Sequence, residues 1–192
     1  MIPFAFAILA VWLVFIVYWF VSAIRAKESL RTRRWWRSFG FRLVIVVIII
    51  ILAHTSTLDN FYLFFDSYGR ASWYPILGVV GILVAVGGLA LAIWARTTIG
   101  RNWGMPMTLR KEPELVTSGP YARIRHPIYT AVLLMMLGSA LAVGLELLLF
   151  FVFFGGYFIY SAKTEEKDML AQFPEQYPTY KARTRGFVPF VF

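Results

Sequence analysis

Cysteine is absent from all 192 residues, and histidine occurs only twice. The first absence removes disulfides, thiolate nucleophiles and cysteine-ligated metal sites. The second weighs against a metal centre, which needs several His, Asp or Glu ligands at suitable spacing. Acids are scarce as well, ten Asp and Glu against 19 Lys and Arg, for a formal net charge of +9. The chain has no Ser-His-Asp order, no phosphate-cradling P-loop and no dinucleotide GxGxxG. Strand-like alternation of polar and apolar residues is missing too, which excludes a membrane β-barrel.

What is there is mostly hydrocarbon. Apolar residues make up 59% of the chain, and the mean hydropathy is +0.67. Charge is absent from Ile2 to Ile24 and from Trp73 to Ala95. A third run centres on Leu43–Ala53 and reaches spanning length if it extends from Phe41 to Leu58. Two shorter runs, Ile128–Leu145 and Leu147–Ala162, are separated by almost nothing and read as a tight helical hairpin. A span needs roughly 20 apolar residues. The reading is an all-α polytopic membrane bundle of five transmembrane helices. It forms one domain over 1–192, with three leading spans in 1–95 and a second half in 96–192. The first run is no signal peptide, because its basic residues follow the apolar core instead of preceding it.

Charge sets the expected orientation. Arg25, Lys27, Arg31, Arg33, Arg34, Arg37 and Arg42 follow the first span, and Arg96, Arg101, Arg110, Lys111, Arg123 and Arg125 follow the third. Lys163, Lys167, Lys181, Arg183 and Arg185 follow the fifth. The intervening loops hold Asp59, Asp66 and Glu146, with Arg70. Basic loops stay in the cytoplasm. All loops then agree on an outside N-terminus and a cytoplasmic C-terminus, in a multi-pass protein of a bacterial inner membrane. The basic residues flank spans, so anionic headgroups are their partners and nucleic acid is not.

Smaller features add detail. Gly78, Gly81, Gly87 and Gly88 put small residues on the third span, and Gly155 and Gly156 do so on the fifth. Such residues let another helix approach closely, or simply reflect ordinary glycine use in membrane helices. Trp35 and Trp36 suit interfacial anchoring, and Phe61–Phe65 suits a short interfacial helix. The stretch Arg96–Pro127 is rich in Gly and Pro and too long for a plain connector, so it is expected to fold over a ligand. From Lys163 a helix continues out of the fifth span until Pro174 stops it. Tyr177, Tyr180, Phe187, Pro189 and Phe190 form an aromatic end expected to pack back on the membrane face.

The chemistry concentrates in Gly119-Pro120-Tyr121-Ala122-Arg123-Ile124-Arg125-His126-Pro127-Ile128-Tyr129 and in Glu165-Glu166. Ionisable groups beside a bilayer are expensive and usually functional. Pro127 suits the first turn of the fourth span, which places His126 at a helix N-terminus with Tyr129 close to the same face. That polar rim suits a carboxylate or a ribose. A lone His is more often a structural hydrogen-bonder, and a Glu pair beyond a span is more often simply solvated. His54, the other histidine, falls on the opposite side of the membrane, so no metal is expected.

Leu115-Val116-Thr117-Ser118-Gly119-Pro120-Tyr121, Arg125-His126-Pro127-Ile128-Tyr129, Glu165-Glu166, and then Phe173, Tyr177, Tyr180 and Pro189 come in this order. Together they resemble the isoprenylcysteine carboxyl methyltransferase family, and more loosely the phospholipid methyltransferases. Gly100-Arg101-Asn102-Trp103 also fits bacterial members. The resemblance covers Arg96 to the C-terminus, about half the chain. It implies an S-adenosylmethionine-dependent membrane methyltransferase acting on a lipid-like or isoprenylated acceptor, with a cytoplasmic-side cofactor pocket built from the C-terminal half. Carried over, Pro113, Glu114, Leu115, Val116, Tyr121, His126, Pro127, Ile128, Tyr129 and Glu165 would line the cofactor. Glu165, Glu166 and Tyr129 are the catalytic candidates. Eukaryotic members carry an arginine at the position of Ser161, associated with the substrate carboxylate. Ser161 and nearby Lys163 are the substrate-binding candidates here, and the substitution turns the expectation away from prenylcysteine carboxylates. Amine N-methylation is the alternative within the fold. A transporter or assembly subunit is the alternative outside enzymes, and a lipid reductase is a third. A transporter calls for charges at midmembrane, whereas the charges here cluster on one face.

Overall fold

A computed structural model describes residues 2–23, 74–103 and 114–187. The expected second span at 41–58, Trp35, Trp36, Phe61–Phe65, His54, Pro113, Pro189 and Phe190 lie outside the described residues. Among the described residues the protein is all helical, with five α-helices and no strand longer than one bridge. These are α1 (Ile2–Ala23), α2 (Tyr74–Ile99), α3 (Pro127–Ala142), α4 (Leu148–Gln172) and α5 (Gln176–Arg183).

Three helical segments, Phe4–Ser22, Tyr74–Ile99 and Leu145–Gln172, are long and apolar enough to cross a membrane. Their outward side chains are large and apolar, including Phe6, Leu13, Phe20, Ile76, Leu83 and Val152. A surface of that kind is stable only against lipid, and the chain is an integral membrane protein. The fourth apolar run falls short of a full span. It forms the 16-residue α3, about 24 Å long at 1.5 Å per residue, against a hydrocarbon core of about 30 Å. Pro127 fixes its start, and the chain turns after Ala142 through a short 3-10 segment, Leu145–Leu147, into α4. The tight hairpin expected from the sequence is therefore present.

The most extensive helix contact is between α2 and α3. On α2 the buried positions Gly78, Gly81, Ala85, Gly88, Ala92 and Ala95 recur at alternating intervals of three and four. On α3, Ala131, Met135, Gly138 and Ala142 do the same. Small residues at that repeat let the backbones meet, so dispersion contacts replace the hydrophobic drive that lipid does not supply. A Cβ on Gly81 would stand 2.6 Å from the Gly138 carbonyl oxygen, and one on Gly88 would stand 2.7 Å from that of Ala131. Gly78 instead receives the ring of Phe4 from α1. The expectation of close helix approach holds at these three. Among the described residues it fails at Gly87 and Gly156, which meet nothing within 4 Å, and at Gly155, whose nearest neighbour is a Leu133 methyl at 3.9 Å.

Helix α1 lies over both, through Ile8, Val11, Trp12 and Phe15. Two polar contacts cross this core. Trp12 Nε1 donates to Ser139 Oγ at 3.0 Å, and the Tyr74 hydroxyl donates to the Ala142 carbonyl at 2.6 Å. Arg96 ends α2 in a buried position. It donates to the carbonyls of Ser22 and Gly100 and lies over the Trp103 ring. A cation there complements the partial negative charge at the end of α1.

Candidate functional site

Pro120 and a positive φ of 57° at Gly119 shape the 3-10 turn Gly119–Ala122 that follows the loop. A side chain at residue 119 would strike Thr98, and glycine alone tolerates both that contact and the left-handed backbone. The turn delivers Tyr121 into a buried position and leads to His126, the residue before the first turn of α3. Pro127 at the first helical position has no N–H to leave unsatisfied.

From α4, Glu165 and Glu166 reach the same end of α3. The Tyr129 hydroxyl donates to Glu165 Oε1 at 2.5 Å, and the other Glu165 oxygen lies 3.6 Å from His126 Nδ1. Glu166 accepts from Arg125 Nε at 2.7 Å and from Lys181 Nζ at 2.6 Å. His126 Nε2 is 3.5 Å from Glu166 Oε1 and is buried without a hydrogen-bond partner. The two glutamates are therefore partly buried and engaged, which overturns the reading of a merely solvated turn.

Aromatic rings enclose this polar cluster. Tyr129 stacks on Phe158 at 4.6 Å and on His126 at 5.5 Å, with planes within 8° and 5° of parallel. Phe187 closes the stack from the C-terminal tail, 5.7 Å from His126. The tail is strapped down by backbone bonds. Arg125 N–H donates to the Arg185 carbonyl, Arg185 N–H to that of Arg123, and His126 N–H to that of Gly186. The Tyr180 hydroxyl donates to the Tyr121 carbonyl at 2.8 Å. Burial pushes the Tyr180 hydroxyl up to about 12 and raises Tyr121 and Tyr177 as well, so all three stay protonated at physiological pH. The aromatic tail thus packs on the 119–126 segment and on the end of α4.

Residues 76–176 match the phospholipid methyltransferase family. The chain belongs to that family. The matched stretch takes in His126, Tyr129, Glu165 and Glu166. Two relatives share long stretches with it. The cobalt-zinc-cadmium resistance protein CzcN of Cupriavidus metallidurans is 36% identical over 135 residues, covering 64% of this chain and 56% of the relative. The nickel-cobalt-cadmium resistance protein NccN of Alcaligenes xylosoxydans is 32% identical over 124 residues, covering 63% and 56%. The chain thus spans about half the length of these relatives.

As a member of the phospholipid methyltransferase family, the chain distributes its motif residues over two adjoining places. His126, Tyr129 and Glu165 form the polar cluster, with buried Pro127 and half-buried Ile128 in the first turn of α3. Glu114, Leu115 and Val116 line an open groove of about 580 Å³ with Thr98, Ile99, Asn102, Thr117 and Ser118. Tyr121 is buried, and its backbone carbonyl accepts from the Tyr180 hydroxyl. Ser161 lies one turn before Glu165, fully buried, its hydroxyl without a hydrogen-bond partner. Lys163 is exposed, so the two substrate candidates do not share an environment. Sequence reasoning named none of Arg125, Lys181, Asn102 and Thr98 as a site residue. Asn102 donates to Glu114 at 3.1 Å. The Gly100–Trp103 motif hinted at Asn102, but no local pattern marks Lys181 as a partner of Glu166.

Proposed function

We propose that this protein is an S-adenosylmethionine-dependent methyltransferase whose acceptor is a lipophilic molecule without a free carboxylate, such as an amine headgroup. One observation carries the reading. Within the family-matched stretch, Tyr129, Glu165 and His126 converge beside an aromatic stack, with His126 Nε2 and Ser161 Oγ buried and without a well-formed hydrogen bond to any described residue, Nε2 lying 3.5 Å from Glu166. Buried polar atoms normally have partners, so these two suit a polar ligand. Glu165 and His126 would hold such a cofactor at one end, and Glu114 with the groove at the other. S-adenosylmethionine, when bound, supplies a methyl group already activated by its positive sulfur. The protein then has to position, and orientation alone can contribute several kcal/mol. Tyr129 fixes one Glu165 oxygen. The Tyr129, Phe158 and Phe187 rings exclude water from one wall of the cluster. Glu165 is the base at hand for an amine, which must be neutral to react.

The acceptor reading rests on Ser161. A buried hydroxyl stands where the prenylcysteine enzymes carry arginine, Lys163 is exposed, and Arg125 and Lys181 are engaged by Glu166. Among the described residues, a carboxylate brought into this partly buried site would meet no dedicated cation, a costly arrangement. With radiolabelled cofactor, an amine-headgroup lipid is expected to be methylated at least about tenfold faster than N-acetyl-farnesylcysteine. The reverse order of rates would refute it. The relatives' names support a second reading at the level of physiology, in which this methylation serves resistance to divalent metal ions. Metal tolerance restored to a deletion strain by the wild-type gene and not by Glu165→Gln would support it.

The proposed orientation puts the site on the cytoplasmic side. The short α3 then holds Tyr129 at the hydrocarbon boundary, within reach of an acceptor in the bilayer. The chain has no native cysteine, so Ser118→Cys, Lys167→Cys, Arg183→Cys and Glu146→Cys report sidedness cleanly. An impermeant thiol reagent on intact cells is expected to label Glu146→Cys alone. Labelling of the first three and not the fourth inverts the topology.

A further inference from the structure

Adjacent glutamates usually suggest one shared job, and both here approach His126, at 3.6 and 3.5 Å, yet their closest partners differ. Glu165 is bound to Tyr129 within the α3–α4 hairpin. Glu166 binds two cations from two other segments. Arg125 comes from the turn before α3, and Lys181 comes from the tail helix α5. Arg125 continues the chain of contacts, donating through Nη1 to the Thr184 carbonyl at 2.5 Å and the Lys181 carbonyl at 3.3 Å. Thr184 is itself buried, and its hydroxyl donates to the Tyr180 carbonyl at 2.7 Å. Immediately beyond, the tail runs beside 123–126 to Phe187, whose carbonyl accepts from Thr130 Oγ1 at 2.6 Å.

We propose that Glu166 is a positioning residue. With Arg125 and Lys181 it forms a latch that holds the C-terminal tail, and with it Phe187, over the His126–Tyr129 face. The physical argument is geometric. Both Glu166 oxygens are occupied by cations at 2.6 and 2.7 Å, and its side chain is only 14% exposed. Charge-assisted bonds at that burial are stronger than surface pairs. Among the described residues, three backbone bonds, one Thr130 bond and the stacking of Phe187 on His126 and Tyr129 tie Arg185, Gly186 and Phe187 to α3 and the turn before it, so releasing the ionic contacts loosens the segment that carries the Phe187 ring. In this arrangement Glu165 addresses the ligand and Glu166 addresses the tail.

The proposal's binding consequence rests on the methyltransferase reading, whereas the latch itself is testable without any ligand. Amide hydrogen exchange in the ligand-free protein reads tail docking directly, at Arg125, His126 and Arg185. Glu166→Gln and Lys181→Met are each expected to speed exchange at these amides about tenfold. Their double variant should do little more than the larger single one, because both remove the same contact. Lys181 is half exposed, so Lys181→Met leaves the fold intact if the buried glutamate variant does not. Lys181→Arg is expected to restore protection, and Glu165→Gln to leave exchange at these amides unchanged. In the methyl-transfer assay Lys181→Met should raise KM for S-adenosylmethionine several-fold with kcat within about twofold, the pattern of lost binding. Unchanged exchange in Lys181→Met, full additivity in the double variant, or tail release by Glu165→Gln would each overturn the latch. Failure to observe methyl transfer with any acceptor, with exchange behaving as stated, would sink the enzymatic reading and leave the latch standing.

Discussion

Glu165→Gln is expected to weaken S-adenosylmethionine binding by about tenfold to a hundredfold and to remove most methyl transfer. Gln keeps an amide oxygen where Glu165 accepts from Tyr129, so the helix hairpin and the ring stack should survive. What is lost is charge. A hydrogen bond to an ionised group is worth roughly 1.5–3 kcal/mol, and each 1.4 kcal/mol is about tenfold in affinity. Tyr129→Phe tests the same unit from the other side. It keeps the stack on Phe158 and His126 and removes only the hydroxyl that fixes Glu165. A smaller loss is expected there, a few-fold in affinity. Calorimetry on protein purified in detergent measures both. Wild-type affinity in Glu165→Gln, with an unchanged melting transition, would take Glu165 out of the cofactor site.

The second large effect is on stability. Gly138→Leu should lower the melting temperature by roughly 5–10 °C, while Gly87→Leu leaves it unchanged. A Cβ at residue 138 would stand 2.6 Å from the Ala85 backbone nitrogen, and one at residue 87 meets nothing within 4 Å. The obstacle at 138 is backbone, which cannot swing aside, so α2 and α3 must separate. Overpacking of this kind costs about 1–3 kcal/mol, and in a chain of this size each kcal/mol is worth about 2–4 °C. Separation would also strain the Tyr74–Ala142 and Trp12–Ser139 bonds. Equal melting temperatures for the two variants would show that the small-residue seam does not hold the helices together.

The seam also shows where sequence reading stops. Four glycines on the third apolar run looked alike as letters. The fold uses Gly78, Gly81 and Gly88 as contact points and brings no described residue within 4 Å of Gly87, because the alternating three-and-four spacing carries Gly81 and Gly88, and not Gly87, onto the face packed against α3. Gly155 and Gly156 showed the same motif and face no described helix closely. The fourth run was legible as a helix, and Pro127 marked its first turn, yet its length came out shorter than a span.

The sequence by itself determined the class, the four described apolar helices and the family. Long uncharged runs leave no alternative to membrane helices, since backbone groups in hydrocarbon must be paired within the segment. His126 before Pro127 and the Glu165-Glu166 pair were likewise visible as costly polar groups beside apolar runs. Only the tertiary structure decided which groups meet. Glu165 turns to Tyr129 and Glu166 to Arg125 and Lys181, although the two are neighbours, because successive residues on a helix point about 100° apart. Lys181 reaches Glu166 only because Pro174 ends α4 and the tail folds back onto residues 123–126. Contacts across that distance depend on the path of the chain through space, which no local spacing encodes.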